Sequence, residues 1–274
     1  MTYKTILVHV EPGPSSDARV KFAVEVAAKF NSVLIGLGAE AFYPMFSSGF
    51  AVANGAVIEA MRERIIADLP VAEQQFRDLA VGVKAGIRWI GGMDFPAKEL
   101  ALHARAADLI VASRPAKHSS PAFSAAPSDL VMEAGAPVLF SDDNGHPLIA
   151  DRVVVGWKDT RESRRALSDS LPLLKRAQQV VVVEIAGDQR PAGQGGDLTE
   201  IAERLARHGV SVTTEVVARA QATIADDLEH AASRHGADVI VTGAYGHARL
   251  REWMLGGVTE DLLAASSKCV LFSH

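Results

Sequence analysis

Cysteine, aromatic residues, surplus positive charge and long apolar runs are all scarce in this chain of 274 residues, and each shortage removes a class of function. The single cysteine, Cys269, excludes an intrachain disulfide framework and a cysteine-built zinc site. Its place in the run Cys269-Val270-Leu271-Phe272 reads as a buried structural thiol. Aromatics at 6% leave little to build base-stacking platforms. Lys and Arg number 28 against 33 Asp and Glu, a net charge of -5, so no basic surplus is available for a nucleic-acid backbone. No uncharged apolar run approaches the about 18 residues of a membrane helix, and the opening Met1 to Val10 does not read as a signal peptide. The expectation is a cytoplasmic protein with neither nucleic acid nor membrane as partner. A Gly-Lys-Ser/Thr phosphate loop, a Gly-x-Ser-x-Gly elbow and a His-Glu-x-x-His helix are missing as well. Nine scattered histidines, the nearest two being His230 and His235, suggest no metal site.

What is present is an internal repeat. Ala107-Asp-Leu-Ile-Val-Ala-Ser113 returns as Ala237-Asp-Val-Ile-Val-Thr-Gly243, and each copy is followed later by a run ending Val-Leu-Phe-Ser, at Ser141 and Ser273. The openings match too, Ile6 to Val10 against Val153 to Trp157. Within each half, short β-branched runs alternate with longer amphipathic segments. Strands are expected over 5–10, 32–37, 83–89, 109–112 and 137–140, then 152–157, 180–185, 212–217, 238–242 and 269–272. Helices are expected over 16–30, 54–79, 96–106 and 124–134, then 161–177, 197–208, 223–235 and about 259–266. Strands nearly continuous in Val and Ile fit a parallel sheet covered on both faces. The fold class is therefore α/β, two tandem doubly wound domains with a five-stranded parallel sheet each. Residues 1–145 and 146–274 form the two domains, joined through the polar, turn-rich stretch 141–147. An insertion over 41–55 is either a lid or a surface excursion, and Gly91-Gly92 reads as an ordinary turn.

Ligands of doubly wound sheets bind outside the carboxyl ends of the strands. There, in the second half, Gly243 and Gly246 are followed by Gly256-Gly257 and Val258-Thr259, at the start of the last helix. Glycines admit close approach of an anion to peptide N–H groups, and a helix N-terminus adds a favourable dipole. Thr259 either contacts phosphate or caps the helix. His247, Arg249 and Arg251 raise the local positive charge, or are merely solvated.

The spacing Gly243, Gly246, Gly256 followed by Val258-Thr259-Glu260 resembles the nucleotide loop of the universal stress protein family, and two consecutive α/β halves are similar to its tandem members. The resemblance implies a Rossmann-like sheet of the adenine nucleotide alpha-hydrolase-like kind in each half. It also implies ATP or a related adenine nucleotide, with or without magnesium, and pairing of the two last strands within the chain. Whether the chain also forms a homodimer is left open. Carried over by position, Gly243, Tyr245, Gly246, Gly256, Gly257, Val258 and Thr259 match the phosphate and ribose loop, with Gly156, Trp157, Lys158 and Thr242 at the adjoining strand ends. Gly257 stands where the family usually has Ser or Thr. Lys158-Asp159 stands where it often has an acidic residue. Asp159 with Glu162 fits a helix-capping box. The first half has Ser113-Arg-Pro-Ala-Lys-His118 in place of the loop, and Pro115 and Pro121 remove donors a phosphate would need. Arg114, Lys117 and His118 there are read mainly as a solvated loop. Three functions follow: a stress-response sensor or regulator that binds nucleotide in residues 146–274, an adaptor that has lost affinity, and, last, an enzyme on an adenylated or phosphorylated small molecule. No catalytic residue stands out, so hydrolysis would be slow at most.

Overall fold

A computed structural model of the chain describes residues 2–13, 16–41, 55–114, 124–142, 147–186, 196–246 and 257–274. The first half runs β1 (Thr5–His9), α1 (Asp17–Phe30), β2 (Val33–Ala39), α2 (Gly55–Leu79), β3 (Ile87–Gly92), α3 (Pro96–Ala104), β4 (Leu109–Ala112), α4 (Pro127–Glu133) and β5 (Val138–Phe140). The second repeats the order: β6 (Arg152–Trp157), α5 (Arg161–Leu174), β7 (Gln179–Ala186), α6 (Gly196–Arg207), β8 (Val212–Ala218), α7 (Ile224–Arg234), β9 (Val239–Gly243), α8 (Val258–Ala265) and β10 (Cys269–Ser273).

All ten strands join one sheet in the order β3-β2-β1-β4-β5-β10-β9-β6-β7-β8. Pairing is parallel within each half. The last strands of the halves meet antiparallel, Leu139 opposite Leu271 and Phe140 opposite Val270. Val180 to Val183 in β7 are buried because helices cover both faces, as their unbroken valine sequence requires. On one face lie side chains of α1, α2, α5 and α6, among them Val20, Phe76, Leu167 and Leu205. On the other lie Leu100, Leu130, Leu228 and Leu262 from α3, α4, α7 and α8. Leu139 and Leu271 belong to the first layer, Phe140 and Phe272 to the second, so both core layers run unbroken through the junction. Among the described residues no helix is long and apolar enough to cross a membrane.

The boundaries differ from the expected ones where turn chemistry intervenes. β3 begins at Ile87 and not at Val83. Val83 belongs to a preceding turn that still packs into the core, and Gly86, at φ +110°, turns the chain into the strand. Gly91 and Gly92, expected in a turn, are the last residues of β3, opposite Gly38 and Ala39 of β2. α4 starts at Pro127, three residues later than the pattern suggested, because the residue before a proline avoids helical geometry: Ala126 has ψ 121°. The connection between the halves is less solvated than its composition suggests, since Ser141 and Asp142 are buried. Residues 143–146 and most of the 41–55 insertion lie outside the described residues.

Candidate functional site

In the second half β6 lies between β7 and β9, with its own connection leading to one side and that of β9 to the other. The carboxyl ends of β6 and β9 therefore border the crevice where a doubly wound sheet accepts ligands. Gly156 of β6 stands opposite Thr242 of β9, so these two residues meet at that edge. Lys158 follows β6 as an exposed residue, while Trp157 is buried in the core layer of α5 and α6. His247, Arg249 and Gly256 lie outside the described residues.

The described glycines differ in their steric surroundings. A Cβ at Gly156 would stand 3.0 Å from a Leu228 methyl of α7, so this position serves strand–helix packing. A Cβ at Gly243 would lie 2.6 Å from both the Glu162 carbonyl carbon and the Ser163 nitrogen, because the first turn of α5 crosses the strand end there. Among the described residues the nearest neighbour of a Cβ at Gly246 is Glu162 Oε2 at 3.4 Å, a looser approach than at Gly243. Tyr245, between them, takes φ +49°, a left-handed conformation uncommon for a residue other than glycine. Contacts to the start of α8 hold it. Its N–H donates to Thr259 Oγ1 at 3.4 Å, and its hydroxyl donates to the Glu260 carboxylate. Burial, then the hydrogen bond and charge of Glu260, push the Tyr245 phenol well above its ordinary pKa, so it is a neutral donor at physiological pH. The Ser128 hydroxyl of α4 pulls the other way, which brings a first-half helix against this loop.

The Tyr245–Thr259 bond ties the end of β9 to the start of α8. Gly257 is the N-cap of α8 and supplies no side-chain cap, as its lack of a hydroxyl dictates. Thr259, second in the helix, spends its buried hydroxyl on Tyr245, and so does not cap the helix. Val258 packs against the core beside it. Thr242 is buried, and its hydroxyl donates to the Gly243 carbonyl at 3.2 Å.

The capping box expected from Asp159 and Glu162 is absent. Thr160 caps α5, its Oγ1 accepting from the Ser163 N–H at 3.3 Å, while Asp159 accepts from Arg164 Nε at 3.0 Å. This one-residue shift of the cap turns Glu162 inward, where it is 2% exposed. Sequence reasoning missed Glu162 as a site residue. The signal was the adjacent pair Asp159-Thr160, either of which can cap a helix.

The first half contains an unexpected polar cluster at the matching edge. Arg19 of α1, 6% exposed, donates through Nε to the His9 carbonyl at 2.8 Å, through one terminal nitrogen to Ser113 Oγ at 2.8 Å, and through the other to Glu11 Oε1 at 3.1 Å. His9 Nδ1 lies 3.3 Å from the same Glu11 oxygen. Burial pushes the Glu11 carboxyl up, but His9 and Arg19 reverse this and bring its pKa down to about 2. Burial holds His9 below its ordinary value. Beyond Glu11 opens a cavity of about 300 Å³ lined also by Glu40 and Arg64, which form an ion pair, and by Asp68. A second cavity, about 390 Å³, lies between α5 and α6 next to Trp157 and Arg164, to one side of the glycine segment. Arg114, expected in a solvated loop, is half-buried and donates to the Lys268 carbonyl just before β10 at 3.0 Å. Pro115, Lys117, His118 and Pro121 lie outside the described residues. No group of three or more acidic, histidine or cysteine side chains suited to a metal occurs among the described residues.

No family model and no curated protein matches the sequence. Solved structures do match the fold. A universal stress protein from Archaeoglobus fulgidus superposes with a TM-score of 0.71 over 98% of this chain and 95% of its own, at 15% identity. A protein of unknown function from Pseudomonas aeruginosa gives 0.60 over 99% and 92%, at 16% identity. Another from Pseudomonas aeruginosa, provisionally assigned to the universal stress proteins, gives 0.58 over 99% and 93%, at 17% identity. The chain thus has the fold of a two-domain universal stress protein along nearly its whole length.

Proposed function

We propose that the chain is a tandem universal stress protein in which residues 146–274 bind ATP or a related adenine nucleotide, and in which occupancy of that site regulates a response to stress. Residues 1–145 form the companion domain that has lost the glycine loop. The observation that carries this reading is the convergence of Gly243 to Gly246 with the start of α8, tied by Tyr245 and Thr259, at the crevice between β6 and β9. Backbone N–H groups of a helix start with no side-chain cap, beside a glycine segment, suit the phosphates of a nucleotide. Lys158 and the loop residues His247, Arg249 and Gly256 complete the set, with Gly156, Trp157 and Thr242 shaping its floor. The overall charge of -5 leaves backbone amides and these few cations as the source of phosphate affinity.

A second reading is an adaptor that binds no nucleotide. It is favoured by the packing role of Gly243, which α5 requires whether or not a ligand binds. One experiment separates the two. Small molecules released by denaturing freshly purified protein are chromatographed, and the native protein is then titrated with ATP. Co-purified adenine nucleotide, or saturable binding well below about 1 mM, is expected. Absence of both rejects the nucleotide reading in favour of the adaptor.

A further inference from the structure

Helices α1 and α2 in the first half, and α5 and α6 in the second, cover the same core layer, yet the two pairs meet differently. In the first, Gln75 of α2 reaches across to the start of α1, its amide donating to the Gly13 carbonyl at 2.7 Å and to Asp17 Oδ1 at 2.5 Å. In the second, α5 and α6 leave the cavity of about 390 Å³ between them. Its floor is Trp157, buried at the end of β6, and Ile201 of α6, which packs against the core. Its rim carries charge. Arg164 of α5 is matched there by Asp159, which accepts from its Nε at 3.0 Å. Glu200 and Arg204 of α6, which also line the cavity, are not matched in this way. They stand four residues apart with the acid first, the order that pairs best on a helix, and Glu203 and Arg207, with the same spacing on the same helix, do pair at 3.6 Å. Arg204 instead reaches across to α5 and donates to Ser168 Oγ at 2.7 Å, while the Ser168 hydroxyl donates to the Arg164 carbonyl at 3.1 Å. Among the described residues no carboxylate forms an ion pair with Arg204 and no cation forms one with Glu200.

A guanidinium has five N–H donors in a planar fork, so one bond to a hydroxyl fixes Arg204 in place and leaves donors for a carboxylate. The acid that would ordinarily take them, Glu200, stands apart on the same wall and is exposed. We propose that this cavity binds a small zwitterion, an α-amino acid with an apolar side chain. Its carboxylate pairs with Arg204, its ammonium with Glu200, and its side chain covers Trp157 and Ile201. The charged residues lining the cavity, Asp159, Arg164, Glu200 and Arg204, balance to zero, which suits a zwitterion better than an acid or an amine alone. A volume of about 390 Å³ lies at the small end of the range for ligand pockets, in keeping with a ligand of that size. The cavity is separate from the glycine segment, so the proposal does not rest on nucleotide binding.

The test is calorimetric titration of the full chain with L-phenylalanine and with L-leucine, each beside its deaminated acid and its decarboxylated amine. Saturable binding of at least one of the two amino acids below about 1 mM is expected, with the matching acid and amine each at least about tenfold weaker. Arg204→Met should weaken the amino acid at least about tenfold and leave the amine as in the wild type, whereas Glu200→Gln should weaken the amino acid as much and leave the acid as in the wild type. Both side chains lie outside the core, and thermal melts establish that the variants fold. Failure of both amino acids to bind below that level overturns the proposal. So does an acid or amine that binds as tightly as its amino acid, or a variant that keeps the wild-type affinity. ATP titrations of the same proteins keep the two readings apart. ATP affinity should be the same in the variants as in the wild type, and a wild type that binds an amino acid but no ATP would reject the nucleotide reading alone. Loss of ATP and amino acid together in the variants would overturn the assignment of a separate site.

Discussion

Gly243 and Gly246 sit three residues apart in one motif, yet the space around them separates two kinds of glycine. At Gly243 an added methyl would meet backbone atoms of α5 at 2.6 Å, and backbone at a helix start cannot yield without moving the helix. At Gly246, among the described residues, it would meet the end of the Glu162 side chain at 3.4 Å, an ordinary contact distance. Gly243→Ala should therefore destabilise the protein by about 1–3 kcal/mol through overpacking, while Gly246→Ala should leave stability within about 0.5 kcal/mol of wild type. Urea denaturation of the two variants checks this. Equal losses would mean that the spacing is retained for folding alone. Thr259 shows the same division of labour, since its hydroxyl holds the backbone of Tyr245 in its left-handed turn and is committed before any ligand arrives.

Elements were legible in the sequence wherever a pattern and its punctuation agreed. β6 and β4 have the expected bounds because each is a run rich in Val, Ile or Leu whose residues are almost all buried. α7 falls within the expected 223–235, and the structure shows a reciprocal cap at its start, Thr223 and Asp226 each accepting the other's backbone N–H at 3.1 Å. Thr223→Ala should cost about 1 kcal/mol, read as a lower urea midpoint at unchanged slope. Loss below about 0.3 kcal/mol would mean that packing of Leu228 and Ala231 alone holds the helix. Where two punctuation marks compete, as at Asp159-Thr160, the element was found but its phase was not, and one residue of phase decides that Glu162 points inward. The cluster of Glu11, His9, Arg19 and Ser113 was not legible. His9 looks like part of a strand and Arg19 like part of a polar helix start, and nothing in the chain reveals that Ser113, 94 residues beyond Arg19, completes their hydrogen bonds.

The whole molecule is two α/β units merged along one antiparallel strand pair. Pairing β5 with β10 removes an exposed sheet edge from each unit, and the pair is itself core: Phe140 and Phe272 are both buried and meet edge to face with centroids 6.0 Å apart. Arg114 donating to the Lys268 carbonyl, and Tyr3 donating to the Asp169 carbonyl at 2.7 Å, add polar ties between the halves. Since both core layers are continuous across this junction, neither half can lose its last strand without exposing apolar surface of the other. The halves should unfold together, in one calorimetric transition. Phe140→Ala, at the junction, and Phe76→Ala, packed against Trp89 within the first half, should each cost about 3–5 kcal/mol. Their consequences differ, because only the first weakens the coupling: Phe140→Ala should split or broaden the transition, whereas Phe76→Ala should lower a single one. Two transitions in the wild type, or identical profiles for the two variants, would show that the strand pair joins the halves in space without joining their stabilities.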